Sequence, residues 1–242
     1  MTKQGKYRGI IPAVTVPFRP DSSIDEEQLH KLVEWLVAQR RVVGLLMNGH
    51  TGEVFSLLPR ERAEVTRIAV KAANGKCPIA SAVVCEGIEE ALEHAHAFKE
   101  AGATALDVMP PHHWLRFGFK PEHAIDYFER IGNAVGLDLI VHTYPAWTKA
   151  SYSSQLLADL SRLPHVKAFK IGTREMNKYA RDIKALRDAN PDAVLLTCHD
   201  EYLLASLVQG LDGALLGFAS LIPGLIADML DAVDRGDLPA AM

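Results

Sequence analysis

Pro164-His-Val-Lys-Ala-Phe-Lys-Ile-Gly-Thr173 is the stretch from which the fold can be read. Between its proline and its glycine, Val166 to Ile171 is apolar but for two lysines, the composition of a short buried strand. Side chains on a strand alternate between faces, which puts Lys170 with Ala168 and Val166 and turns Lys167 the other way. A lysine at the start of a strand can carry its ammonium out to water, whereas one at the finish sits among small apolar neighbours. Desolvation disfavours the ammonium and yields a free amine able to attack a carbonyl carbon. The plainer role open to Lys170 is an ion pair with a carboxylate.

The same kind of strand recurs on both sides of this one. Strands are predicted at Gly9 to Val16, Val43 to Met47, Ile79 to Val84, Ala105 to Met109 and Asp138 to Thr143, then at Ala193 to Thr197 and Gly213 to Gly217. Helical periodicity fills the gaps. Asp25 caps a first helix with Gln28 at the capping-box position and Leu29, Leu32, Val33, Leu36 and Val37 as its apolar stripe. Pro59 opens a second. Others run over Gly87 to Ala101, Pro121 to about Ala134, Ser153 to Leu163, Arg174 to Ala189, Tyr202 to Gln209 and Leu221 to Arg235, with Pro110-Pro-His-His-Trp114 read as a loop. Eight strand-helix units with continuous apolar strands imply an all-parallel sheet, and the number favours a closed (β/α)8 TIM barrel over an open sheet. No dinucleotide or phosphate-loop glycine motif supports the open alternative, and no linker divides residues 1–242, so a single barrel domain is expected.

Composition narrows the function. The chain has 242 residues, 48% hydrophobic and 23% charged, with net charge −4 and no basic cluster, which argues against nucleic acid as a partner. Cys77, Cys85 and Cys198 form no metal or redox spacing, and an odd number suits a reducing compartment. Met1 to Arg8 carries no apolar leader core, and no apolar run reaches the roughly 18 residues of a membrane span. A cytoplasmic protein acting on a small molecule, with no membrane partner, is the expectation.

In a barrel of this kind the site is built at the carboxyl ends of the strands. That rim holds His50, Thr51 and Glu53, then His112, His113 and Trp114, then His142, Thr143 and Tyr144, then Lys170 and Thr173, then Cys198, His199 and Asp200. Five of the ten histidines fall there. Two chemistries fit. Lys170 can form an imine with a 2-oxo acid while imidazoles move protons, since they titrate near neutrality. Alternatively three histidines with Asp200 or Glu53 can hold a divalent metal, as in metal-dependent barrel aldolases and hydrolases. Against the metal stand the lack of a His-x-His on strand one and the divergence of neighbouring side chains His112 and His113 on extended backbone.

Several segments together resemble the dihydrodipicolinate synthase / N-acetylneuraminate lyase family of class I aldolases, over about Gly9 to Arg235. Ala13-Val-Thr-Val-Pro-Phe18 is similar to the family's opening strand, Gly49-His50-Thr51-Gly52-Glu53 to its carboxylate loop, and Ala168-Phe169-Lys170 to its lysine strand, with Thr173 at the following hydroxyl position. Gly213-Ala-Leu-Leu216, which contains Leu215, corresponds to its eighth-strand segment. The resemblance implies a Schiff base between Lys170 and pyruvate or another 2-oxo acid, with no cofactor beyond that imine and no metal. It implies Thr51, His142 and Tyr144 as catalytic partners, and Gly49, His50, Thr51, His112, Thr173, Leu215 and Trp147 at the substrate. A homo-oligomer, dimer or tetramer, is also implied.

Departures from the pattern redirect the substrate. His142-Thr-Tyr-Pro145 stands where synthases and lyases carry a tyrosine motif, His112 where the synthases carry a loop tyrosine, and His50 where they carry a threonine. Trp147 replaces the arginine that receives the amino-aldehyde's carboxylate in the synthases. Met-Pro-Pro-x-His and Phe-Lys-Ile resemble the sugar-acid dehydratases of the family, which act on 2-keto-3-deoxy acids, so a dehydratase or aldolase is expected ahead of dihydrodipicolinate synthase proper. A non-catalytic 2-oxo acid binding protein is the remaining alternative. The family's helical bundle after the barrel is read as missing beyond Met242, and Trp114, Trp147 and Phe218 as aromatic walls of the pocket.

Overall fold

The computed structural model describes residues 5–242, so part of the segment read as lacking a leader core, residues 1–4, lies outside it. Its strands are β1 (Ile10–Pro12), β2 (Leu45–Met47), β3 (Ile79–Val83), β4 (Ala105–Val108), β5 (Asp138–His142), β6 (Val166–Ile171), β7 (Val194–Thr197) and β8 (Gly213–Leu216). Helices α1 (Glu26–Val37), α2 (Pro59–Ala73) and α3 (Ile88–Glu100) follow the first three strands. After β4 come α4 (His112–Phe117) and α5 (Pro121–Val135), and then α6 (Ser154–Leu160), α7 (Met176–Ala189), α8 (Leu203–Leu207), α9 (Pro223–Asp234) and α10 (Leu238–Ala241). All ladder pairs are parallel, in the order β1-β8-β7-β6-β5-β4-β3-β2. The β1–β2 seam brings the ends together through Val43 N–H to Ile10 O at 2.9 Å and Val14 N–H to Leu46 O at 2.9 Å. The chain is a (β/α)8 TIM barrel.

Parity sorts each strand into two layers. Ile11, Leu46, Ala80, Ala82, Ala105, Ile140, Ala168, Leu196 and Leu215 pack together inside the barrel, while Val108, Val141, Phe169, Ile171 and Leu195 pack outward under the helices. Val166 breaks the expected parity. The β5–β6 register shifts between Leu139 and Ile140, so that Leu139 pairs with Val166 and Ile140 already pairs with Ala168. This extra residue turns Val166 into the helix layer with Phe169, and Lys170 shares the inner face with Ala168 alone. Lys167 points to water.

Local chemistry sets the helix ends. Asp25 Oδ1 accepts from Gln28 N–H at 3.1 Å, but the reciprocal half of the expected capping box is absent, since the Asp25 N–H donates to Pro17 O at 2.8 Å. Pro59, Pro121 and Pro223 each open a helix where a missing N–H costs nothing. The predicted loop at Pro110 to Trp114 is instead the entry to α4, because Trp114 stacks on Phe119 with centroids 4.6 Å apart and meets Tyr127 at 5.6 Å.

The two barrel ends differ in kind. At the amino ends of the strands, Arg8 and Arg187 both pair with Asp212, and Tyr7 donates to Asp138 at 2.9 Å. These contacts tie elements together. The carboxyl ends carry the histidines and Lys170.

Candidate active site

Lys170 is 6% exposed and stands one residue before the end of β6, where it pairs in register with His142, the last residue of β5. On its other flank it pairs with Leu196 of β7. A third strand adds a carboxylate: Asp107 of β4, 0% exposed, with Oδ2 3.0 Å from His142 Nδ1. Its other oxygen, Oδ1, is buried with no hydrogen-bond partner. Three adjacent strands therefore place an aspartate, a histidine and a lysine on the inner face of the barrel mouth.

The loop after β2 supplies the next ring. Asn48, at φ 58, sits in the left-handed region and anchors the loop through Nδ2 to Arg62 O at 2.9 Å and Thr66 Oγ1 at 3.0 Å. Glu53 N–H to His50 O at 3.0 Å closes the turn, which presents the His50 ring 6.0 Å from His142 and 6.3 Å from Tyr144. Thr51 lies over Gly217 at the end of β8, where a β-carbon would come within 3.3 Å of its hydroxyl. Phe55 stacks on His50 at 5.7 Å and reaches His112 at 5.3 Å. His50, Phe55, His112, Leu115, Tyr144, Pro145 and Thr148 line an open cavity of about 400 Å³.

The charges are coupled. Burial pushes the Asp107 carboxyl up, but His142 and Lys170 outweigh it and hold the group below the usual carboxylate range. Burial and Lys170 push His142 down, yet Asp107, with a contribution from Cys198, leaves it above the ordinary imidazole value. Cys198, half-buried beside His142, is pushed up by burial and pulled down further by Lys170 and His142, so its thiol is lowered overall. Desolvation first, and then the neighbouring His142 and Lys170, hold His50 down at about 4, so it is neutral at physiological pH. Burial, then Asp107, pushes the Tyr144 phenol up to about 12. Its hydroxyl points to Met109 Sδ at 3.9 Å.

Not every residue singled out from sequence joins this mouth. Of the five rim histidines, His50, His112 and His142 converge, while His113 turns to Glu86 O at 2.6 Å and His199 is buried near Gly172. Thr173 caps the turn into α7 by accepting from Glu175 N–H at 3.2 Å. Leu215 is fully buried within the barrel interior, and Gly49 is buried in the β2 loop. Trp147 is 63% exposed and lies under the Arg174 guanidinium at 5.7 Å, outside the cavity lining. Two expected walls are corrected: Trp114 belongs to the helix layer, and Phe218 lines a separate groove with Leu225 and Met229. No group of three or more His, Cys, Asp or Glu is arranged to hold a metal among the described residues. Among those residues, no helix is long and apolar enough to cross a membrane.

Sequence reasoning does not reach Asp107, although the sequence carries a signal for it. A carboxylate in the middle of Ala105-Leu-Asp-Val-Met109 breaks an otherwise apolar strand on its inward parity.

Comparison with known proteins gives a consistent set of relatives. The Dihydrodipicolinate synthetase family matches residues 6–242. The 4-hydroxy-tetrahydrodipicolinate synthase of Rhodospirillum centenum is 32% identical over 234 residues, covering 96% of this chain and 77% of its own length. The N-acetylneuraminate lyase of Citrobacter koseri is 30% identical over 234 residues, covering 97% and 76%. Among solved structures, a dihydrodipicolinate synthase from Acinetobacter baumannii complexed with pyruvate superposes with a TM-score of 0.87 at 26% identity, covering 97% of this chain and 78% of that one. The chain thus spans about three-quarters of the length of these relatives.

Proposed function

The chain belongs to the dihydrodipicolinate synthetase family, a family of class I lyases, and from that premise we propose that Lys170 forms a Schiff base with pyruvate or another 2-oxo acid. The carrying observation is the placement of Lys170, nearly buried on the inner face at the mouth and in register with His142. No cofactor beyond the imine enters this proposal. The N–H groups of His50 and Thr51 donate to no other protein group among the described residues, which leaves them for the substrate carboxylate. Thr51 brings a hydroxyl to that loop over Gly217, whereas the Thr173 hydroxyl stays on the turn into α7. Leu215 packs in the barrel interior, and His112, on the cavity lining, faces the substrate's distal end.

His142 is the acid–base group of this reading. Tyr144 is 5.6 Å away by ring centroid and, with its phenol raised to about 12 and turned to Met109, forms a wall. A proton acceptor beside an iminium supports either loss of water from a 2-keto-3-deoxy acid or retro-aldol cleavage to pyruvate. The motif pattern and the histidines in place of tyrosines favour such a dehydratase or aldolase over a synthase. The three free cysteines accord with a cytoplasmic enzyme. A dimer or tetramer belongs to the same proposal, since exposed Leu115 and Phe117 flank His112 on α4. The test is a panel of 2-keto-3-deoxy sugar acids and aromatic 2-oxo acids followed by NMR. Pyruvate or a dehydrated 2-oxo acid appears if the reading is right; binding without turnover of any member refutes it.

Dihydrodipicolinate formation is expected to be poor. Trp147 offers no bidentate donor, and the guanidinium above it, Arg174, is engaged by Glu201 at 2.9 Å. A coupled assay with pyruvate and aspartate semialdehyde should show turnover roughly 10²-fold or more below ordinary enzyme rates, of which about 10 s⁻¹ is typical. Turnover at that ordinary rate contradicts the expectation.

A further inference from the structure

Asp107 is out of place as a packing residue. Ala105 and Met109 share its inner face with Ile140 and Ala168, and a carboxylate in such company is costly unless its charge is used. A residue chosen for the core alone would be apolar. Asp107 keeps its charge with a single hydrogen bond, to His142 Nδ1 at 3.0 Å, while its Oδ1 stays without a partner.

An ionised carboxylate can only accept a hydrogen bond, so the proton in this contact is on Nδ1 and the nitrogen left to accept a proton is Nε2. We infer that Asp107 is the positioning residue for proton transfer at this site: it fixes the Nδ1–H tautomer of His142, so that Nε2 takes the proton from the carbon next to the Lys170 iminium. The inference rests on the reading of Lys170 as the Schiff-base lysine. In the step, the C–H bond of that carbon breaks and its electron pair forms the enamine C=C. The C=N pair moves onto nitrogen, and the proton goes to Nε2. The positive charge lost by the iminium reappears on the imidazolium, beside the buried carboxylate that stabilises it. No oxidant or further reactant is required. Reversal of the step returns the proton to carbon, or to the hydroxyl that leaves in a dehydration.

The other groups around His142 do not provide a substitute. His50 is a neutral ring 6.0 Å away, Tyr144 is turned to Met109, Lys170 repels a proton on the imidazole, and the lowered Cys198 thiol contributes less to raising His142 than Asp107 does.

The experiment needs only pyruvate. Exchange of its methyl hydrogens in deuterium oxide, followed by NMR, reports the enamine step without knowledge of the natural substrate's tail. In Asp107→Asn, the borohydride-trapped adduct on Lys170 should still form and KM for pyruvate should move little. The exchange rate should fall about 10²-fold or more, the scale of a lost general base. The acid limb of the pH–rate profile should move to lower pH, because the charge that raises His142 has gone. In a His142→Gln background the same change should cost nothing further. Wild-type exchange with an unmoved acid limb, or a full additional loss in the His142→Gln background, overturns the inference. If Asp107→Asn does not fold, nitrogen-15 spectra of the wild-type histidines decide, with His142 assigned by its absence in His142→Gln. A neutral Nδ1–H ring supports the inference and a neutral Nε2–H ring overturns it. Absence of both adduct and exchange in the wild type removes the Schiff-base reading and this inference with it, an outcome distinct from a normal adduct with an unaffected Asp107→Asn.

Discussion

Replacing Lys170 by alanine is expected to abolish exchange of the pyruvate methyl hydrogens and turnover of any 2-oxo acid, a loss on the order of 10⁴-fold or more. The size follows from the covalent role: without the amine there is no iminium, and nothing else on the inner face can act as the electron sink. Lys170→Arg separates nucleophile from charge. A guanidinium keeps a positive neighbour for Asp107 and His142 but cannot be deprotonated to attack a carbonyl, so it should be as inactive as alanine. Lys170 is not an anchor of the core, since its partners in register, His142 and Leu196, hold their places through β5 and β7. Both variants should therefore remain folded by circular dichroism. Alanine activity within tenfold of wild type would show that the lysine is a structural cation.

The second large effect is steric. A β-carbon on Gly172 would lie 2.1 Å from the carbonyl oxygen of Thr143, and the Gly172 N–H donates to Thr143 Oγ1 at 2.8 Å. The obstacle is backbone and cannot rotate away, so β5 and β6 must separate at the level of His142 and Lys170. Overpacking costs about 1–3 kcal/mol where side chains can yield, and more where they cannot. Gly172→Ala should lower the melting temperature by roughly 5–10 °C, at about 2–4 °C per kcal/mol for a chain of this size. It should also depress activity well beyond the loss in folded protein. Gly224, in the first turn of α9, has nothing within 4 Å of a β-carbon, and its alanine variant should melt at or slightly above wild type. Equal melting of the two variants would contradict the packing described at the mouth.

Strands were legible because a parallel sheet buried on both faces leaves continuous apolar runs, and Val166 to Ile171 was bounded correctly. Others overshot, as with Val43 to Met47 against the observed Leu45–Met47, because an apolar run can extend beyond its ladder. The short helix α4 was hidden: two prolines and two histidines carry no helical signal, and the stacking of Trp114 on Phe119 that supports it is tertiary. A bulge is equally invisible in sequence, which is why period-two parity fails for Val166 and holds for Lys170, on the carboxyl side of the register shift. Rim aromatics misled because a strand end does not say whether the next ring turns into the mouth, as Tyr144 does, or under the helices, as Trp114 does. Asp107 was readable as a charge inside an apolar strand, but its meaning came only with His142 beside it.

Borohydride reduction in the presence of pyruvate, read by intact mass and peptide mapping, tests the Schiff base most directly. One adduct per chain is expected, with the mass of pyruvate less water plus two hydrogens, confined to the peptide containing Lys170 and lost in Lys170→Ala. No adduct at saturating pyruvate, or an adduct on Lys167 or another lysine, would contradict the assignment of Lys170 as the imine-forming residue.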